Sequence, residues 1–262
     1  MKFEEIFKHT FKALLKETEW ERYTLWYRCL SCQSQFCQAV VNCGYLSFEQ
    51  MINAVCRYRL GASKKGGVIF WQIDKDERIH DGKVVYYGPD CHRSKEKWLH
   101  PTWVSTFMRK RHPIPNARHE TSHCLFGLHL LREMSGNVAV VEAEKTAVIM
   151  SELFPNYIWM ATGGLGQLQP EALRPLRGQK VILFPDTDPT QTAYQRWYTM
   201  ARETERQFWW EDCPPINVSP LLERHATPEQ KQRKIDIVDY LYESNKQTKT
   251  GRQSRCESEH VK

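Results

Sequence analysis

Three short apolar runs, each ending in an acid or a glycine pair, constrain the fold of this chain more than any other feature. Val138-Ala139-Val140-Val141 leads into Glu142, Ile158-Trp159-Met160-Ala161 into Thr162-Gly163-Gly164, and Val181-Ile182-Leu183-Phe184 into Pro185-Asp186-Thr187-Asp188. Runs this short and this rich in β-branched and aromatic residues suit strands buried on both faces, as in a parallel sheet. Helical patterns separate them, and such alternation argues for βαβ units. Sheets of this kind hold their ligands just beyond the carboxyl ends of the strands. An acid, a flexible backbone and a pair of acids are therefore expected along one rim.

The pattern predicts an α/β domain over residues 125–243, a mostly parallel sheet flanked by helices. Its elements are a helix at 126–134, a strand at 137–141, a helix at 143–154, a strand at 157–161 and a short helix at 170–176. A strand at 180–184, a long helix at 190–210, a short strand at 215–218 and a helix at 235–242 follow. A smaller α+β region, residues 1–124, is expected to precede it. Residues 1–58 read mostly helical, with Phe3, Ile6, Phe7, Phe11 and Leu14 at helical spacing and a second stretch from Phe48 toward Tyr58. Strand-like runs at 68–73 and 84–87 predict an antiparallel pair joined by a long polar turn over 74–83. Pro113 and Pro115 make 101–116 read as a connecting loop. The polar, basic tail at 244–262 is expected to be disordered.

With 262 residues, 41% of them hydrophobic, the chain is long enough to bury a core. Its apolar runs are too short to span a bilayer, and the start, Met1-Lys2-Phe3-Glu4-Glu5, is polar and acidic. A cytoplasmic protein with no membrane partner is expected. The net charge of +6 permits a nucleic-acid partner without requiring one. Part of the excess is local, at Arg109-Lys110-Arg111 and in the tail from Lys246, where a phosphate partner and plain solvation are both open readings. Cys29, Cys32, Cys37 and Cys43 open with C-x-x-C, but Phe36, Ala39, Val40 and Val41 surround them, so they read as thiols buried on a helix rather than a zinc knuckle. His119-Glu120-Thr121-Ser122-His123 matches the H-E-x-x-H string without the apolar helical stripe that zinc proteases need. Surface or interdomain histidines are expected there, and zinc is not. Gly61 to Gly67 lacks the order of a phosphate loop. Tyr58-Arg59 and Lys64-Lys65 could face nucleic acid beside Phe70, Trp71, Tyr86 and Tyr87, although an aromatic strand is more often core.

Phosphoryl transfer needs carboxylates gathered within a few ångströms, holding magnesium or manganese through oxygen. Glu142 stands at the end of one strand; Asp186 and Asp188 stand at the end of another, on alternate positions. Gly163-Gly164 lets the backbone between them approach closely. The competing reading is that these acids only cap helices or meet solvent. Lys145, one turn into the following helix, is placed to touch a phosphate or to face water.

Glu142 within Val-Val-Glu-Ala-Glu-Lys-Thr-Ala, the Thr162-Gly163-Gly164 turn and Phe184-Pro185-Asp186-Thr187-Asp188 together resemble the signature of the toprim domain. That domain is shared by DnaG-type primases, type I and II topoisomerases and related nucleases, and the likeness is closest to primase-like proteins of bacterial mobile elements. Lys234-Ile235-Asp236-Ile237-Val238-Asp239-Tyr240-Leu241 resembles the acidic segment that follows Asp-x-Asp in primases. The resemblance spans residues 125–243. It implies Glu142 as general acid/base or metal ligand, Asp186 and Asp188 as magnesium ligands, and Asp236 and Asp239 as outer metal or structural acids. Lys145, Gly163, Gly164 and Arg109-Lys110-Arg111 are the accompanying candidates for nucleotide or DNA contact. The implied activity is magnesium-dependent, primase-like nucleotidyl transfer on single-stranded DNA from nucleoside triphosphates, with a separate helicase or replication protein as a further candidate partner. Two alternatives share the fold: a nuclease that nicks DNA with the same acids, and a catalytically inactive DNA-binding accessory protein. The second is favoured by Pro189-Thr190-Gln191-Thr192, which stands where primases continue with a glycine.

Overall fold

The computed structural model describes residues 34–111 and 123–244. The pattern read over residues 1–33, with Cys29 and Cys32, the histidine segment up to Ser122 and the basic tail lie outside the described residues. Helix α1 (Gln35–Asn42) starts where the Ser34 hydroxyl accepts the Cys37 amide, and α2 (Phe48–Tyr58) where Ser47 and Gln50 cap one another reciprocally. Cys37 is buried on α1, whereas Cys43 falls beyond its end and is exposed, contrary to the buried-thiol reading. Arg59 closes α2 at φ +53 and is itself buried, ion-paired to Glu77 at 3.0 Å and Glu133 at 2.8 Å. It therefore faces no nucleic acid.

An antiparallel sheet follows, in the order β1 (Gly61–Ala62), β2 (Val68–Ile73), β3 (Ile79–Val85) and β4 (Thr102–Trp103). Phe70, Trp71, Tyr86 and Tyr87 are core residues. The long polar turn expected over 74–83 is only about half that length. Asp74 folds it tightly by accepting the amides of Asp76 and Arg78, and β3 already begins at Ile79. Asp81 and Lys83 look like turn residues in the sequence but lie buried within the strand. Asp81 is satisfied there by the amide and hydroxyl of Ser105 and by the Gly82 amide. Ser105 belongs to α3 (Val104–Arg111), so β4 and α3 occupy most of the expected loop at 101–116; residues 112–116 are not described.

The expected helix at 126–134 shrinks to α4 (Leu130–Glu133). Phe126 instead exchanges backbone hydrogen bonds with Ala161, and Gly127 turns the chain at φ +85 with no room for a side chain beside the Trp159 carbonyl. The second sheet is wholly parallel and runs β6 (Tyr157–Ala161), β5 (Asn137–Val141), β7 (Val181–Phe184), β8 (Asn217–Val218). Helix α5 (Glu144–Leu153) joins β5 to β6 and is buried over most of its length between that strand and α2. The short α6 (Pro170–Leu173) packs on α7 (Thr192–Phe208), which buries Ala193, Trp197, Ala201 and Thr204 at helical spacing. Helices α8 (Leu221–His225) and α9 (Pro228–Arg233) and a helix over residues 237–244 complete the described chain.

The α/β class expected from the sequence, a parallel sheet flanked by helices behind a smaller α+β region, is the observed one. One apolar core runs through both parts. Tyr58 of α2 donates to the Trp159 carbonyl of β6 at 2.8 Å and stacks on Phe126 at 4.8 Å. Among the described residues no helix is long and apolar enough to cross a membrane.

Candidate functional site

The strand order places β5 in the interior, with β6 on one side and β7 on the other. The chain therefore leaves β5 in one direction, crosses back and enters β7, which makes the β5/β7 boundary a topological switch point. Val141 is in register with Phe184 across that boundary. Glu142 and Asp186 consequently emerge side by side, and the Asp186 amide donates to Glu142 Oε1 at 3.3 Å. They border a cleft of about 350 Å³ lined also by Tyr87, Cys91, Arg93 and Lys145.

Burial pushes the Glu142 carboxyl up to about 7, against the Asp186 amide and Arg196, with the charges of Asp188 and Asp236 adding to the rise. Asp186 is raised well above the ordinary carboxylate range, by burial first and then by Glu142, Asp236 and Asp239. Burial and neighbouring acids thus hold both carboxyls of this pair above their ordinary range.

The remaining acids are differently employed. Asp188 is turned toward the start of α7, where Gln191 supplies no side-chain cap: one oxygen accepts the Thr190 amide and hydroxyl, the other the Ala193 amide at 2.8 Å. Burial works against its charge, but the bonds from Ala193 and Thr190 prevail and hold it down at about 2. Asp188→Ala is expected to cost about 1 kcal/mol as a lost helix cap, read as a small drop in denaturant midpoint at neutral pH. Because its folded pKa is depressed, that difference should persist above pH 4 and disappear as pH falls toward 2. Asp236 and Asp239 cap the helix at 237–244. Asp236 accepts the Asp239 amide at 2.8 Å and the Thr146 hydroxyl, and the Asp236 amide points to Asp239 at 3.5 Å. Asp239 also lies 4.0 Å from Lys145, whose ammonium sits above the Tyr45 ring. Burial opposes the Lys145 charge, yet Asp236 and Asp239 outweigh it and keep the ammonium protonated beyond its ordinary range.

The glycine pair closes the cleft. The Gly163 amide donates to the Glu142 carbonyl at 2.9 Å, and φ of +90 at Gly163 leaves a side chain strained there. Sequence reasoning missed Lys83, which reaches from β3 to donate to Glu144 Oε1 at 2.9 Å and to the Gly163 carbonyl at 2.6 Å. It also missed Tyr45 and Arg93, and Tyr87, named beside a possible nucleic-acid face, was not placed at the rim, since the region before the parallel sheet carries no motif announcing that it reaches there. Arg109, Lys110 and Arg111 fall on α3, where their side chains are outside the described set. His123, at the end of the H-E-x-x-H string, packs on Trp103 and meets Gln72 at 2.7 Å.

Among the described residues no group of three or more His, Cys, Asp or Glu side chains could hold a metal ion. A closed protein cage is thus missing from that part of the chain. The donor chemistry suits a different mode: magnesium keeps most of its waters and takes one or two carboxylates plus substrate phosphates. Asp186 is partly exposed to the cleft and Glu142 adjoins it, which fits that mode.

The family model described as "Domain of unknown function (DUF6371)" matches residues 34–187. The primase fragment of the bacteriophage T7 primase-helicase protein is a solved structure similar to this chain, with 16% identity and a TM-score of 0.40 over 68% of this chain and 69% of that one. A search of curated proteins found no match.

Proposed function

The chain belongs to the DUF6371 family, whose description carries no activity, so the rim must supply the reading, and we propose that it is a magnesium-dependent, primase-like nucleotidyltransferase of toprim type acting on single-stranded DNA. The observation that carries this is the meeting of Glu142 and Asp186 at the switch point, both held above their ordinary pKa in a cleft that a cation would relieve. Bound there, magnesium would neutralise charge on the phosphates and on the oxygen entering or leaving. Glu142 and Asp186 would hold the ion together with substrate phosphates and water. Glu142, poised at about 7, is also suited to accept or return a hydroxyl proton near neutral pH. Lys145 stays cationic beside the cleft and offers a phosphate contact, while Asp236 and Asp239 orient it and secure the last helix. Asp188 acts chiefly as the cap that fixes α7 against the rim. Single-stranded DNA and nucleoside triphosphates are the partners this chemistry requires.

The test is primer synthesis. Full-length protein with magnesium, a single-stranded template and ribonucleotides should yield short oligomers, and Asp186→Asn should yield none. Equal product from both proteins would remove the assignment. One observation favours a second reading, the accessory protein without catalysis: both Asp188 oxygens are engaged in capping. That reading prevails if neither protein makes product and magnesium neither binds in calorimetry nor raises the melting temperature.

A further inference from the structure

Three arginine–aromatic pairs crowd the outer side of the parallel sheet. The Arg177 guanidinium lies 4.0 Å above the Trp210 ring, Arg174 lies 5.6 Å above Phe208, and Arg202 lies 5.3 Å above Tyr198. At about one such pair per 70–80 residues, fewer than one is expected between positions 174 and 210. Trp210 is nevertheless 69% exposed, although a guanidinium lies over its ring.

The charges around it are unevenly satisfied. Arg202 and Arg206 pair with Glu205 at 2.7 Å and Glu203 at 3.6 Å. Arg174, Arg177, Lys180 and Arg196 are exposed, and none forms an ion pair among the described residues. Three of them stand at the two ends of α7. Arg196 leans toward Gly166, in the turn Leu165–Gln167 whose first residue lines the acidic cleft. Arg174 and Arg177 flank the far end of α7, beside Phe208 and Trp210. With 17 residues, α7 spans about 25 Å, room for roughly seven stacked nucleotides at about 3.4 Å each.

We infer that the α6–α7 seam is a docking track for single-stranded nucleic acid, with Arg196, Arg174 and Arg177 meeting phosphates and Trp210 stacking a base. A flat exposed indole with adjacent cations recognises a feature every base has, its π-face, and an unpaired strand is what presents that face. A duplex keeps its bases stacked inside and would leave Trp210 unused. The track leads toward the acidic cleft and so deepens the reading of the rim as a DNA-directed site, but it operates without a cation and is measured without one.

The test uses the full chain and a fluorescein-labelled 20-nucleotide oligothymidylate in EDTA, followed by anisotropy across a salt series. Trp210→Ala should weaken binding about tenfold, and Trp210→Phe should restore most of it. The double variant Arg174→Ala/Arg177→Ala should lower the salt slope by about 1.4, since each phosphate contact on a single strand contributes about 0.7. Melting temperatures within about 2 °C of the parent would show that the variants fold. Asp186→Asn should bind like the parent, so a failure of catalysis and a failure of the track give different results. Binding by Trp210→Ala within twofold of the parent overturns the proposal. So does a change in its mass by light scattering with oligonucleotide affinity unaltered, which would make Trp210 a protein contact.

Discussion

Glu142→Gln is expected to be more heat-stable than the parent protein above pH 7, although the substitution removes a residue of the candidate site. The Glu142 residue is 8% exposed, and burial raises its carboxyl from an ordinary 4.5 to about 7. Between those values the folded protein retains a proton that the unfolded chain has released. Stability therefore falls as pH rises through that window, and the full penalty applies above pH 7. The displacement corresponds to at most about 3 kcal/mol. In a chain of this size that is several degrees in melting temperature. Melts at pH 8 and pH 4.5 check it: the variant should lead at pH 8 and the gap should close at pH 4.5. Magnesium should raise the melting temperature of the parent at pH 8 more than that of the variant, because only the parent has the full repulsion to relieve. A variant less stable than its parent at both pH values would mean that the carboxylate is structural.

A rim that costs stability at neutral pH contrasts with the other acids nearby, each of which has a structural partner. Asp188 has the α7 amides, Asp236 has Thr146 and the last helix, and Glu144 has Lys83. Glu142 and Asp186 are left in conflict, and Asp239, which burial and Asp236 also raise, shares part of it; local conflict of that kind concentrates at functional positions.

The parallel sheet was legible because its strands carry their own signature. Val138 to Val141, Ile158 to Ala161 and Val181 to Phe184 are continuous apolar runs, and each fell within about one residue of its observed strand. The adjacency of Glu142 and Asp186 then follows from the sheet rule. What was not legible depends on contacts distant in the chain. Asp81 and Lys83 read as turn residues because their partners, Ser105 and Glu144, are 24 and 61 positions away. The break before α4 depends on Phe126 finding Ala161, which no helical periodicity reveals. The resemblance implies Asp188 as a magnesium ligand, and its engagement at the start of α7, where both of its oxygens accept hydrogen bonds, is a local contact that the resemblance does not reveal.

The largest loss of stability is expected from Lys83→Met. The Lys83 ammonium, on the antiparallel sheet, lies 2.9 and 3.2 Å from the two oxygens of Glu144, on the parallel-sheet side of the core, and also holds the Gly163 carbonyl. Glu144 is only 2% exposed. Removing its partner strands a carboxylate in the interior, which costs about 3–5 kcal/mol. The same argument predicts that Glu144→Gln, added to Lys83→Met, recovers a good part of the loss, because an amide is far cheaper to bury than an unpaired charge. Denaturant midpoints of the two single variants and the double variant measure the coupling, provided that the m-values agree. A cost below about 1 kcal/mol for the single change, or no recovery in the double, would show that the pair is not what joins the two sheets. If the coupling is found, the glycine turn beside the acidic cleft is held from both sides: by Glu142 through the Gly163 amide, and by Lys83 through its carbonyl. The antiparallel region would then act as part of the rim, and a fragment that begins at the first parallel strand would carry the acids without the geometry that makes them meet.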